Sequence, residues 1–271
     1  MEQDKLKDFR SRLKKYIPIM KDAREKTLNE ADTRMRIRVL LSEILGYDML
    51  EEITQEHMVQ GHYVDLTVKA AMWDKSANKY ISKIIFFVEA KSVDTTLRDT
   101  HVYQATSYAS NGGINLVILT NGIDYRLYHL TWDKAKVESN LVLSLNVLDD
   151  PVDILAEKLY LLSKESFKKG VIDKYISEKT SLSDRNIAQV LLSPRVLTAM
   201  RLELKNLTGS NIKEESLEHC LSQILDPKLY EYAKSCAVKI AKKEKKPVQQ
   251  PKAMPVEATN VINLENKAQA E

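Results

Sequence analysis

The feature that most constrains the fold is an uninterrupted apolar run, Ile84 to Val88, which leads directly into Glu89, Ala90 and Lys91. A short continuous apolar run between polar residues is typical of a strand that is covered on both faces of a sheet. A second run, INLVILTNG, predicts another buried strand that ends in an Asn121-Gly122 turn. Residues 97–110 between them have helical spacing, so a right-handed strand–helix–strand crossover is expected.

The flanking segments alternate in the same way between helical and extended patterns. Residues 4–26 and 29–48 have apolar residues at steps of three and four, and Gly46 is expected to end the second of these helices. Residues 53–59 and 63–72 have the pattern of two strands joined by a turn at Gly61, and DYRLYHLTW continues the sheet. This order predicts an α/β fold with a mixed central sheet.

The organisation of the chain changes near residue 150, where the strand patterns end. Residues 150–241 predict a small all-helical module of four or five helices, one of which starts at Ser193-Pro194. Residues 242–271 are polar, spaced by prolines and without periodicity, which is typical of a disordered tail. The expected division is therefore 1–149, 150–241 and 242–271.

Composition excludes several classes of protein but indicates no chemistry. The 41 basic and 38 acidic residues leave a net charge of +3, too small to indicate a nucleic-acid partner and compatible with a local basic groove. Two cysteines cannot form a disulfide framework and fit a reducing compartment, so a cytoplasmic protein is expected. No apolar run approaches the roughly 20 residues that cross a bilayer, and the charged first segment does not resemble a secretory signal.

Three polar side chains near the predicted strand ends could carry chemistry. Asp65 lies in the second strand, while Glu89 and Lys91 are two residues apart and therefore point to the same face. Carboxylate oxygens suit Mg²⁺, which takes one or two carboxylates together with water and substrate phosphate. The alternatives are a strand end that enters solvent or a simple cross-strand ion pair. No HExxH motif or Cys/His cluster occurs, so a zinc site is not expected.

Six short motifs follow one another along residues 29–130. They are N-E-A-D-T-R at 29–34, L-G-Y at 45–47, V-D-L at 64–66, V-E-A-K at 88–91, Q-A-T-S-Y at 104–108 and L-T-N-G at 119–122. In this order they resemble the PD-(D/E)XK nuclease superfamily, and most closely the N-terminal nuclease domain of type I restriction enzyme R subunits. The resemblance implies a restriction-endonuclease-like mixed central sheet flanked by helices, here followed by the helical module.

The resemblance also implies roles for individual residues. Asp65 and Glu89 would be ligands of Mg²⁺, and Lys91 would be the catalytic lysine. Glu30 would be a helix carboxylate that supports the metal or its water, and Gln104 and Tyr108 would be a helix pair adjoining the site. Each has a structural alternative: Glu30 as a first-turn acid favoured by the helix dipole, and the helix pair as packing residues. Glu43 is a second candidate for the helix acid.

The implied activity is Mg²⁺-dependent hydrolysis of DNA phosphodiester bonds, in restriction-modification or another defence against foreign DNA. Val64 stands where the family often has a proline before the aspartate, and the chain has no GxxxxGK[ST] loop of a helicase motor. We therefore expect either a free-standing nuclease or a part that depends on other subunits of a complex. The alternative is a non-catalytic DNA- or protein-binding module that retains the nuclease fold.

Basic side chains that could contact DNA phosphates lie in the first two helices and in the helical module. They are Lys5, Lys7, Arg10, Arg12, Lys14, Lys15, Arg34, Arg36, Arg38, Arg185, Arg195, Arg201 and Lys205. Acidic residues are interspersed among them, so solvated helix faces are the alternative interpretation.

Overall fold

The computed structural model describes residues 3–244, apart from residues 60, 61, 75, 77, 134 and 135. The expected turn at Gly61 and most of the expected tail, from residue 245 onward, therefore lie outside the described residues. By their internal contacts the residues form two units, Met1–Ser183 and Asp184–Glu271.

Two helices open the first unit, as the sequence predicts. Helix α1 spans Gln3–Glu25, and α2 spans Glu30–Val39. The side-chain oxygen of Asn29 caps α2 by accepting a hydrogen bond of 2.9 Å from the backbone N–H of Asp32. The helix then widens into a π-helical turn, Leu40–Ile44, which periodicity alone does not reveal.

Six strands form one mixed sheet in the order β1-β2-β3-β4-β5-β6. The strands are β1 (Ile53–Val59), β2 (His62–Asp74), β3 (Lys79–Ala90), β4 (Leu116–Thr120), β5 (Asp124–Asp133) and β6 (Lys136–Asn146). Among the strands of the described residues, only β3 and β4 pair in parallel, and α3 (Asp99–Asn111) connects them. This arrangement confirms the expected α/β fold of the restriction-endonuclease-like type, with a mixed central sheet flanked by helices.

Strand β6 is an element that the sequence pattern does not distinguish. The sequence that joins β5 to β6 contains neither the Asn-Gly nor the Asp-Gly pair that marks a two-residue hairpin turn. The strand nevertheless pairs with β5 along its whole length as the edge of the sheet. Its register shifts at a bulge between Leu127 and Tyr128 of β5, which interrupts a simple alternation.

Both faces of the central strands are covered, which explains the continuous apolar run in β3. The larger core lies on one face and includes Phe86 and Val88 together with residues of α1, α2 and the π-helical turn. On the other face, Phe87 packs with Val117 and with Ala105 of α3. Phe86 and Phe87, which are neighbours in β3, therefore enter different cores, as expected for side chains that alternate along a strand.

Three further helices complete the first unit: α4 (Val152–Leu161), α5 (Lys164–Lys168) and α6 (Val171–Ser181). They group with the sheet because their apolar residues belong to its larger core; the rings of Phe167 and Phe86, for example, lie 5.5 Å apart. The observed boundary at 183/184 thus differs from the composition change near 150. The division into domains at 1–149, 150–241 and 242–271 stays a prediction.

The second unit contains α7 (Asp184–Leu191), α8 (Pro194–Thr208), α9 (Glu214–Ile224) and α10 (Pro227–Glu244). Its small core consists of aliphatic residues such as Leu197, Leu217 and Leu221. The described residues after 150 therefore form seven helices, α4 to α10, where the sequence pattern predicts four or five. The number is larger because short non-helical breaks divide the predicted helices. Across the described residues, none of the helices has both the length and the apolar character of a membrane span.

The turn after β4 is confirmed and has a reason to contain glycine. Asn121 accepts backbone hydrogen bonds from Ile123 and Asp124 through its side-chain oxygen, at 3.0 and 2.7 Å. Gly122 has φ +84°, and a Cβ atom there would lie 2.6 Å from Cε of Met20. Both the backbone conformation and the close approach of α1 favour glycine.

Candidate active site

The candidate site lies where β2 begins and β3 ends. The antiparallel register pairs Leu66 with Val88, so one further step places Asp65 opposite Glu89. Directly opposite residues have Cβ atoms about 4.5–5.5 Å apart and share a face of the sheet. One oxygen of Asp65 also accepts a hydrogen bond of 2.8 Å from the backbone N–H of Ala90, which fixes the carboxylate against the end of β3.

Lys91 joins these strand carboxylates to the helix acid. Its ammonium donates a hydrogen bond of 2.7 Å to Oε1 of Glu89 and lies 3.9 Å from Oε2 of Glu30. The backbone holds this arrangement, because the N–H of Val93 donates to the carbonyl of Leu28 just before α2. The N–H of Lys91 itself donates to Thr120 of β4 at 2.8 Å. The structure therefore brings the carboxylates of Glu30 and Glu89 together around the ammonium of Lys91.

Burial gives the site an unusual charge state. The side chain of Glu89 is only 4% exposed, and burial, followed by the charges of Asp65 and Glu30, raises its pKa despite the hydrogen bond from Lys91. Burial lowers the pKa of Lys91, but the bond to Glu89 and the three nearby carboxylates outweigh it and raise the pKa overall. Lys91 is therefore an ammonium at neutral pH, whereas an ionised Glu89 is costly.

Arg34 is a residue of the site that sequence reasoning assigned only to possible phosphate contacts. One of its terminal nitrogens lies 3.5 Å from Oδ1 of Asp65 and 3.5 Å from Oε1 of Glu56 on β1. The available signal is its spacing of four residues from Glu30, which puts both on one face of α2. Burial, followed by the positive charges of Lys91 and Arg98, lowers the pKa of His101 in α3.

The other predicted site residues have different outcomes. Gln104 lies on the exposed surface of α3, and a role beside the site stays a prediction. Tyr108 belongs to the same helix, but its side chain lies outside the described residues. Glu43 is exposed in the π-helical turn, where its carbonyl accepts a hydrogen bond from Arg12, while Glu30 reaches Lys91. Glu30 is thus the better placed of the two helix acids.

Several of the basic residues considered for DNA contact have acidic or carbonyl partners. Arg10 pairs with Asp153 at 2.7 Å. Arg201 donates to the carbonyl of Ile212 at 2.8 Å. The side chain of Lys5 lies outside the described residues. Phosphate contacts by this group stay a prediction.

The donor set fits a cation that needs few protein ligands. Across the part of the chain that the structure describes, no group of three or more His, Cys, Asp or Glu side chains is arranged to hold a metal ion by itself. Mg²⁺ requires only one or two carboxylates, and it usually keeps several waters. Asp65 and Glu89 could supply these, and burial raises the pKa of Glu89, so an added positive charge would favour its ionised form.

Replacing Glu89 by glutamine is expected to increase the free energy of unfolding relative to that of the wild type as the pH rises. The pKa of Glu89 is raised above its ordinary value of 4.5, so its contribution to stability is fully present below that pH. The contribution is lost as the pH rises through the raised pKa, by about 1.4 kcal/mol for each tenfold difference in proton affinity between the folded and unfolded states. Glu89→Gln does not titrate and avoids this loss.

Urea unfolding between pH 4 and pH 8, in the presence of a chelator, measures this effect. The free energy of unfolding of Glu89→Gln minus that of the wild type should increase over this range and then level off. Glu43→Gln gives the baseline for removing an exposed acid elsewhere in the same unit. A difference that decreases with pH would mean that the fold stabilises the ionised carboxylate instead.

Comparison with known proteins supports the same segment of the chain. Residues 29–141 match the family model described as the type I restriction enzyme R protein N terminus. Neither a curated protein nor a solved structure matches the chain. The matched segment contains Glu30, Asp65, Glu89 and Lys91, as well as the pair on α3. The resemblance indicated by the sequence motifs is thereby confirmed: residues 29–141 are similar to the N-terminal domain of type I restriction enzyme R proteins.

Proposed function

We propose that this chain is a Mg²⁺-dependent DNA endonuclease that hydrolyses phosphodiester bonds. The observation that carries the proposal is the half-buried Lys91 ammonium between Glu89 and Glu30, beside Asp65 at the margin of the sheet. A purely structural ion pair would not need two further carboxylates around an already paired lysine. The family match of residues 29–141 gives independent support for a restriction-related nuclease.

In the proposed mechanism, Asp65 and Glu89 would hold a Mg²⁺ ion. Bound Mg²⁺ would polarise the phosphoryl oxygen and favour deprotonation of the attacking water. The hydrogen bond from Ala90 holds Oδ2 of Asp65 in place, while Oδ1 has no polar contact among the described residues closer than the 3.5 Å to Arg34 and would be the oxygen that faces a cation. The burial of Glu89 keeps water away from the carboxylate and strengthens its attraction to positive charge.

Lys91 acts in this mechanism as a cation and a hydrogen-bond donor. Because the neighbouring carboxylates raise its pKa, Lys91 keeps its proton at neutral pH, which favours this role over that of a base. Its ammonium would instead stabilise the negative charge that develops on the phosphate oxygens and orient the water for attack. Glu30 lies at the solvent side of this ammonium, with 43% of its side chain exposed, and would help to position that water.

The wider role we propose is restriction or another defence against foreign DNA, within a complex that includes other subunits. A cytoplasmic location follows from such a role. The family match motivates this context, because R proteins are components of type I restriction enzymes.

A cleavage assay on the purified full chain tests the activity. Supercoiled and linear DNA, and RNA of similar length, are incubated with Mg²⁺, with Ca²⁺ or with a chelator. We expect cleavage of DNA with Mg²⁺ and no cleavage with the chelator. Asp65→Asn should reduce the activity to background, while Glu43→Gln should retain it, because Glu43 lies beside α1 and apart from the site carboxylates.

The same assay separates the competing function. Retention of DNA in a gel without cleavage under any divalent ion would favour a binding module that keeps the nuclease fold. Equal cleavage by the wild type and Asp65→Asn would contradict the assigned site.

A further inference from the structure

Arg34 already supplies Asp65 with a positive charge. Its guanidinium lies 3.5 Å from Oδ1 of Asp65, and both side chains are only 16% exposed, so solvent screens their attraction poorly. The second oxygen of Asp65 is held independently by the backbone N–H of Ala90 at 2.8 Å. Asp65 therefore has one anchor from the backbone and one contact that is mainly electrostatic.

The contact with Arg34 is loose for an arginine–carboxylate pair. Charge-assisted hydrogen bonds are usually about 2.7–2.9 Å long and often bidentate, whereas here one nitrogen lies at 3.5 Å. The buried Nε of Arg34 has no hydrogen-bond partner among the described residues. A guanidinium held in this way can move away from Asp65 without breaking a close hydrogen bond to it.

A second carboxylate, that of Glu56, also lies near the guanidinium of Arg34. Glu56 lies 3.5 Å from the same nitrogen of Arg34, and its side chain is 71% exposed. Its backbone has φ +50°, which is uncommon for a residue other than glycine and occurs preferentially at functional sites. Arg34 thus bridges an inner carboxylate of the site and an outer one on β1.

We propose that Arg34 is the resident counter-ion of Asp65, which a divalent cation must displace from the carboxylate when it binds. The inference rests on the proposed metal-dependent function and deepens it. Arg34 acts through Asp65 and is therefore a positioning residue. With Mg²⁺ bound at Asp65, the guanidinium of Arg34 would leave this carboxylate and keep its contact with Glu56. Its charge lowers the affinity of the site for the ion and suppresses binding of weaker monovalent cations.

Calorimetric titration of the full chain with MgCl₂, without DNA, tests this role. Arg34→Gln removes the competing charge and leaves the backbone anchor of Asp65, so we expect at least about fivefold tighter Mg²⁺ binding than in the wild type. Arg34→Lys keeps the charge and should bind within about twofold of the wild type. The matched control is Arg36→Gln, which removes a charge from the face of α2 next to Tyr16 and should also stay within about twofold.

The outcomes separate this inference from the proposed function. If the wild type binds Mg²⁺ and Arg34→Gln binds it equally or more weakly, the counter-ion role is wrong. If the wild type takes up no Mg²⁺, the proposed metal-dependent function fails as well. The Mg²⁺-induced shift of the urea midpoint, taken relative to each variant's own metal-free midpoint, gives the same comparison even if Arg34→Gln is less stable.

Discussion

Replacing Lys91 by alanine is expected to reduce Mg²⁺-dependent DNA cleavage by about 10²–10³-fold. The ammonium lies at 2.7 Å from Glu89 and 3.9 Å from Glu30, which places a single positive charge at the centre of the proposed site. Removing a preorganised donor that acts on developing charge costs far more than removing a surface cation. Initial cleavage rates of supercoiled DNA by wild type and variant, at equal protein concentration, measure the loss.

A second arm distinguishes loss of chemistry from loss of folding. Lys91→Ala leaves Glu89 buried without its hydrogen-bonded cation, so some loss of stability is expected. Lys91→Arg keeps a positive charge beside Glu89 but changes its shape, so it should fold like the wild type and still cleave more slowly by at least about tenfold. Lys79→Ala, an exposed lysine at the start of β3, should cleave like the wild type.

Two results would contradict the role of Lys91. One is cleavage by Lys91→Ala within about tenfold of the wild-type rate, once circular dichroism shows that both proteins are folded. The other is wild-type cleavage by Lys91→Arg, which would reduce the role to a charge without defined geometry.

The central strands could be predicted from sequence because their constraints are local. An apolar run that continues through Ile84–Val88 leaves no polar face, so β3 must be covered on both sides. The packing of Phe86 against Phe167 on one face and of Phe87 with Ala105 on the other confirms this. The two-residue spacing of Glu89 and Lys91 likewise puts both side chains on one face of the strand. These conclusions need no knowledge of distant parts of the chain.

The remaining geometry depends on contacts that are distant in sequence. Asp65 lies opposite Glu89 only because the β2–β3 register pairs Leu66 with Val88, and that register shifts at a bulge between Val68 and Lys69. A shift of one residue would move Asp65 to the other face of the sheet. The residue spacing within each strand contains no information about this offset.

The contacts of Arg34 on α2 are likewise not predictable from residue spacing within the helix. Its spacing from Glu30 predicts a shared face of α2, but not which strand residues that face meets. The contacts with Asp65 and Glu56 arise because α2 is fixed at its start, where Leu28 accepts the N–H of Val93. The sequence therefore predicts which residues share a face of one helix or strand, but it does not predict which residues of different elements contact each other.

Removal of either strand carboxylate is expected to abolish stabilisation of the protein by Mg²⁺. For the wild type, a free Mg²⁺ concentration of about 100 times its dissociation constant should raise the free energy of unfolding by about 2.7 kcal/mol. Asp65→Asn and Glu89→Gln each replace a carboxylate by a neutral amide, which is a much weaker ligand for Mg²⁺. Neither variant should gain more than a few tenths of a kcal/mol under the same conditions, roughly the precision of such measurements.

Urea unfolding with and without Mg²⁺ measures the gain. Glu43→Gln should gain as much as the wild type, because its carbonyl contacts Arg12 beside α1. An equal gain in all four proteins would place any bound ion elsewhere and contradict ligation by Asp65 and Glu89.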